Sequence, residues 1–222
     1  MNSPIRAVFF DLDGTLVDTE AVAAQIARAT LQEWGVRVSA DDAAYVTGRT
    51  WGSALDYLFA RYSIPVARVD AERIILERYR AALEVELPIV PGGALAVQSL
   101  ARDYPLALIS GSGRAEILFC LEKLAILPFF KVVLGAEDYP RSKPAPDGYL
   151  NAMQRLGIGP GEGLVFEDSE AGIASAKAAG LWVVAISSTN HFRQNTTGAD
   201  YSISDLTGVT GEWLRQLSLS RT

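Results

Sequence analysis

Histidine and cysteine are almost missing from this chain: one of each, His191 and Cys120, stands among 222 residues. A single imidazole excludes histidine-rich metal centres, and any Ser-His-Asp or Cys-His enzyme would have to be built on His191. That residue lies in a polar stretch at 187–197 that reads as an exposed loop. One cysteine cannot close an internal disulfide, which fits a reducing cytoplasm. Cys120 sits in the apolar pattern of 118–124 and reads as a buried packing residue. Long apolar runs are lacking too. None approaches the ~18 residues of a membrane span, and the short one near the N-terminus runs straight into Asp11, unlike a signal peptide. Excess positive charge is also absent, since 20 Lys and Arg stand against 26 Asp and Glu for a net charge of −6. That balance argues against a nucleic-acid partner or an anionic membrane surface. An anionic substrate would therefore need a local site or a bound cation, and carboxylates are the natural candidates for acid–base work.

What the chain does have is a globular composition. Hydrophobic residues make up 49% and charged residues 21%, enough for a core without disulfide or metal staples. Short apolar runs at 5–10, 106–109, 132–134, 164–166 and 181–186 read as buried strands. Helical patterns at 94–102, 115–124, 147–156 and 169–179 lie between them. This alternation predicts an α/β fold, a Rossmann-like parallel sheet with helices on both faces. In such sheets ligands bind outside the carboxyl ends of the strands. Residues 17–87 break the alternation with helical patterns at 20–34, 40–46, 52–62 and 69–83, punctuated by Gly35, Gly48 and Pro65. They read as a small helical cap inserted into a core made of 1–16 and 88–222.

Four polar motifs close or follow the strands. Asp11-Leu12-Asp13-Gly14-Thr15 follows the first, and two carboxylates two residues apart leave a strand end on the same side. Gly14 permits a tight turn that frees amides to face an anion. Ser110, Gly111, Ser112 and Gly113 offer a hydroxyl and exposed amides at the end of the second strand. Pro144 biases Lys143 to an extended backbone just before a helix. Glu167-Asp168-Ser169 follows the strand at 164–166, with Ser169 placed to cap the next helix. Asp18 and Thr19 read as structural, capping the first helix of the insert. Trp51 and Tyr45 read as packing residues inside it.

The four motifs, in this order, resemble the haloacid dehalogenase superfamily in its phosphatase branch with a helical cap. The resemblance covers nearly the whole chain. It implies a Mg²⁺-dependent phosphatase for a small phosphorylated metabolite, a sugar phosphate or sugar-acid phosphate, acting through an aspartyl-phosphate. Asp11 would be the nucleophile and Asp13 the general acid and base. Ser110, Gly111 and Lys143 would hold the phosphate. Mg²⁺ would lie on Asp11, the backbone carbonyl of Asp13 and Asp168, with Glu167 close by. Gly48 and Arg49 occupy the position of a substrate-specificity loop in related caps. A monomer without nucleic-acid or membrane partners is expected.

Two rivals remain open. One is a β-phosphoglucomutase-like isomerase. In those enzymes a histidine twelve residues after the nucleophile couples cap closure to catalysis, and Ala23 stands there. The other, a receiver-like phosphoacceptor module, lacks the Asp-x-Asp-Gly-Thr pattern and a cap. A Schiff-base phosphonate hydrolase is excluded because Lys123, Lys131, Lys143 and Lys177, the only lysines, all lie outside residues 17–87.

Overall fold

The computed structural model describes residues 4–46, 49–191 and 193–219. The first strand, β1 (Ala7–Phe10), is Ala-Val-Phe-Phe and buried throughout. Such a strand belongs at the centre of a parallel sheet covered on both sides. It lies there, flanked by β2 (Leu106–Ile109) and β4 (Gly163–Glu167). With β3 (Phe130–Leu134), β5 (Trp182–Ile186) and β6 (Tyr201–Ile203) the order is β3-β2-β1-β4-β5-β6, and every pair is parallel. All five expected strands form. β6 is additional, a three-residue edge strand that is nowhere fully buried.

Alternation along β1 divides the core between the two faces of the sheet. Val8 and Phe10 join a cluster with Leu106, Leu108 and Phe166, closed by Val97 and Leu100 of helix α5 (Gly93–Leu100), Ile117 and Leu121 of α6 (Arg114–Lys123), and Leu214 of α9 (Gly211–Leu219). Phe10 and Phe166 stack with ring centroids 5.1 Å apart. Ala7 and Phe9 face the other way, onto Tyr149 and Met153 of α7 (Asp147–Leu156) and Ile173 and Ala176 of α8 (Glu170–Ala178). The chain runs outward from β1 to β2 and β3, then crosses back to β4 on the other side. The carboxyl ends of β1 and β4 therefore open at the point where strand order reverses, which is where such sheets bind ligands.

Between β1 and α5 lie α1 (Glu20–Glu33), α2 (Ala40–Val46), α3 (Trp51–Arg61) and α4 (Arg68–Val85). These helices share a small cluster of their own around Leu31, Val36 and Leu58. Tyr79 and Leu83 of α4 instead join the main core. The two chain segments entering and leaving the block run side by side. Val17 and Ile89 form an antiparallel bridge, and the Asp18 amide donates to the Pro88 carbonyl at 2.8 Å. Among the described residues, no helix is long and apolar enough to cross a membrane.

Candidate active site

Asp11 is the first residue after β1, fixed by its amide, which donates to the Phe166 carbonyl at 3.0 Å. That bond brings the end of β1 beside the end of β4, and with it Glu167 and Asp168. One carboxylate oxygen from each of Asp11, Glu167 and Asp168 lies within 4.8 Å of the others, and all three residues are buried. Lys143 Nζ donates to Asp11 Oδ1 and Glu167 Oε1 and is itself buried. Three carboxylates against one ammonium leave the cluster with two net negative charges. Burial pushes the Asp11 and Asp168 carboxyls well above the ordinary carboxylate range, and repulsion from neighbouring carboxylates adds to it. Burial alone would lower the Lys143 pKa, but Asp11 and Glu167 outweigh it and hold the amine firmly charged. An all-oxygen donor set with surplus negative charge suits a hard divalent cation.

Two glycines make this crowding possible. Gly14 has φ +82°, and a Cβ there would fall 2.0 Å from Asp168 Oδ2. A Cβ on Gly172 would fall 1.7 Å from Glu167 Oε1. Glu167 is fully committed. Its Oε1 accepts from Lys143 and from the Tyr149 hydroxyl at 3.1 Å, and its Oε2 accepts from the amides of Asp168 and Ser169 and from Ser169 Oγ. Ser169 Oγ also accepts from the Gly172 amide at 3.0 Å, the helix cap read from the sequence.

Asp13 lies apart from that cluster and is held by hydroxyls. Thr19 Oγ1 donates to its Oδ1 at 2.5 Å, while Ser112 Oγ at 2.7 Å and Ser110 Oγ at 3.1 Å donate to Oδ2. A carboxyl group oriented by three hydroxyls at the mouth of the site is placed to exchange a proton there. The Thr19 contact corrects a sequence expectation: Thr19 occupies the N-cap position of α1, but its side chain makes no capping bond. The Thr19 backbone is helical, φ −86° and ψ −16°, not the extended conformation from which an N-cap oxygen reaches the helix amides, and its hydroxyl donates to Asp13 instead. Asp18 pairs with His191, whose Nε2 lies 2.9 Å from both its oxygens, so this exposed loop histidine is tied to the segment that enters α1.

The structure thus brings together Asp11, Asp13, Ser110, Lys143, Glu167 and Asp168. Gly111 lines the same cavity. Gly48 lies outside the described residues. Arg49 also lines the cavity, but its Nε donates to the Tyr45 carbonyl at 2.9 Å and its guanidinium lies 4.2 Å above the Tyr45 ring. Tyr45 itself is 47% exposed and stacks on Tyr57, so it is a surface residue rather than packing inside the block. Trp51 does pack, against Tyr79. Sequence reading placed Ser112 in the second motif but missed its bond to Asp13, although the two-residue spacing that pairs Asp11 with Asp13 also pairs Ser110 with Ser112. Tyr149 carried no local signal, since it reaches Glu167 at the end of β4 from α7. Cys120 is buried as expected, and burial pushes its thiol up to about 12.

A parallel sheet with a buried acidic cluster at its switch point defines an α/β protein whose ligand site lies at the carboxyl ends of β1 and β4. The family profile described as haloacid dehalogenase-like hydrolase matches residues 8–186, and the chain belongs to that family. Protein CbbY of Rhodobacter capsulatus is 32% identical over 96% of this chain and 99% of its own length. Fructose-1-phosphate phosphatase YqaB of Escherichia coli is 31% identical over 78% of this chain and 92% of its own. The crystal structure of β-phosphoglucomutase from Clostridium difficile shares the fold with a TM-score of 0.83, covering 98% of each chain at 21% identity.

Proposed function

We propose that this protein is a Mg²⁺-dependent phosphatase that hydrolyses a small phosphorylated metabolite through an aspartyl-phosphate. The observation that carries the reading is the buried Asp11 carboxylate held against Lys143, with a separately oriented Asp13 two residues on. Asp11 attacks phosphorus, and the bond from phosphorus to the ester oxygen breaks. Asp13 gives its proton to the leaving alcohol, then takes one from the water that cleaves the aspartyl-phosphate and releases inorganic phosphate. Lys143 offsets charge on the phosphoryl group. The backbone at Gly111 holds its oxygens, joined by the Ser110 hydroxyl once it turns from Asp13 to the phosphate.

The carboxylates of Asp11 and Asp168 and the backbone carbonyl of Asp13 are the groups that would hold Mg²⁺. Glu167, with both oxygens committed, anchors Lys143 and would stand close to the ion. When bound, the ion supplies Lewis-acid polarisation of the phosphoryl oxygens. The need for positive charge is large. Two unit charges 4 Å apart repel by about 4 kcal/mol at an effective dielectric of 20, and a phosphate dianion meets several carboxylates here. We further propose that residues 17–87 act as a cap on the core of 1–16 and 88–222, with Gly48 and Arg49 in its substrate loop. Relatives named for fructose 1-phosphate and for hexitol phosphates make carbohydrate-sized esters the first to assay.

Release of p-nitrophenol from p-nitrophenyl phosphate tests the reading. Turnover should require Mg²⁺, stop with EDTA and fall to background in Asp11→Asn. Full activity in metal-free buffer refutes the cation's role. Substantial turnover by a folded Asp11→Asn protein refutes the covalent step. A receiver-like module would show no sustained turnover at all.

A further inference from the structure

We propose that Tyr139 is a positioning residue for phosphoryl binding, aiming the Gly111 N–H at the phosphate by holding the carbonyl at the other end of the same peptide unit. The inference rests on the phosphatase reading and extends it to a side chain outside the cavity. A trans peptide is planar, so its C=O and N–H point in opposite directions. Whatever fixes the Ser110 carbonyl therefore aims the Gly111 amide. The Tyr139 hydroxyl donates to that carbonyl at 2.6 Å, in a buried bond. The Ser110 amide is fixed as well, donating to the Leu134 carbonyl at 3.0 Å.

The two ends of this peptide face different surroundings. Tyr139 packs with Ile109, Leu134 and Tyr149 in the core cluster on the α7 face of the sheet, outside the cavity. Gly111 lines the cavity together with Asp11, Asp13, Ser112 and Lys143. Among the described residues the Gly111 N–H makes no hydrogen bond, whereas the next amide, that of Ser112, donates to Ser110 Oγ at 2.9 Å. An open donor just past a strand end, in the cavity of the nucleophile, is available to an oxyanion. The seat of the Tyr139 ring depends on a glycine. A Cβ on Gly148 in α7 would fall 3.0 Å from Tyr139 Cε1 and 2.9 Å from Ile109 Cγ2. Burial pushes the Tyr139 hydroxyl up to about 12, so it stays protonated and remains a donor at working pH. Its bond also polarises the peptide, which strengthens the Gly111 N–H as a donor.

Tyr139→Phe removes the hydroxyl and keeps the ring. Orthovanadate, a five-coordinate mimic of the phosphoryl group in transfer, is the probe. Protein carrying ¹³C at serine carbonyls and ¹⁵N at glycine has two Ser-Gly amides to observe, those of Gly111 and Gly113. In Mg²⁺ buffer, vanadate should move the wild-type Gly111 resonance downfield, and Tyr139→Phe should lose most of that movement. Vanadate inhibition of p-nitrophenyl phosphate turnover should weaken about 10-fold in the variant, less than the ~10²–10³-fold cost of deleting such a donor outright. Its Mg²⁺ affinity, read by calorimetry, should be unchanged. Gly148→Ala crowds the ring and leaves the hydroxyl in the chain, so it should reduce the Gly111 shift by a smaller amount, and it decides the matter if Tyr139→Phe does not fold. A wild-type Gly111 resonance indifferent to vanadate overturns the proposal, as does a shift preserved in the folded variants. Equal losses of vanadate and Mg²⁺ affinity also overturn it, because they mark disruption of the whole site. Phosphate release by the wild-type protein is scored separately. Turnover with the shift preserved in the variants removes Tyr139 and leaves the phosphatase reading. The expected shifts without turnover of any ester remove that reading and leave the positioning.

Discussion

Lys143 stands between Asp11 and Glu167, and its removal would strand both carboxylates in a buried site. Breaking a buried ion pair from one side costs about 3–5 kcal/mol, so Lys143→Met should lower the free energy of unfolding in urea by that order. Loss of activity with unchanged stability would count against the pairing. Asp168 should behave in the opposite way. Burial raises its pKa above the unfolded value, so its charge opposes folding at neutral pH, and that penalty fades as pH falls. In EDTA at pH 7, Asp168→Asn should therefore melt higher than wild type. Mg²⁺ at 100 times its dissociation constant stabilises by about 2.7 kcal/mol, which is roughly 5–10 °C for a chain of this size. Wild type should gain that shift in a thermal melt and Asp168→Asn should lose most of it. Asp11, Glu167 and Asp168 were legible in sequence because they stand at the ends of two neighbouring strands, and Lys143 because Pro144 marks it just before a helix. Ser112 was legible by the same period of two. Tyr149 was not, because its contact with Glu167 exists only once α7 packs on the sheet.

The seven-residue helix α2 is too short to stand on propensity alone. Asp42 holds it. Its carboxylate accepts from the hydroxyls of Tyr62 at 2.6 Å, Tyr57 at 2.7 Å and Ser39 at 2.8 Å, and pairs with Arg61. Those hydroxyl bonds lower its pKa to about 2. A carboxylate with a depressed folded pKa stabilises above the unfolded value, near pH 4, and loses that contribution as pH falls toward 2. Asp42→Asn should accordingly melt below wild type at pH 6, and the gap should narrow at pH 3. A gap of equal size at both values would place the role of Asp42 in packing. The helices of this block follow the periodicity of the sequence closely, with α2 matching the expected range and α4 extending to Arg68–Val85. β6 escaped notice because Tyr201-Ser202-Ile203 sits at the sheet edge, where one neighbour suffices and no apolar run is needed. α9 was missed because nine residues give little periodicity, although Trp213, Leu214 and Leu217 share a face.

At the scale of the molecule, strand order could not be read along the chain, but the alternation of strand and helix implied a switch point and hence where the site opens. The same architecture serves phosphatases and mutases, and Ala23, at the position of the mutase histidine, weighs against a mutase here. It borders the cavity and offers no side-chain group to orient Asp13. With β-glucose 1-phosphate and a trace of the 1,6-bisphosphate, inorganic phosphate should accumulate faster than glucose 6-phosphate, and the reverse order would establish a mutase. The paired segments at Val17 and Ile89 have a further consequence. The helical block leaves and re-enters the sheet domain through adjacent points, so a short turn could replace it with little added loop-closure entropy. Such a splice would also remove Tyr79 and Leu83 from the main core. The block is therefore an interchangeable module only if its successor brings apolar residues to fill those two seats.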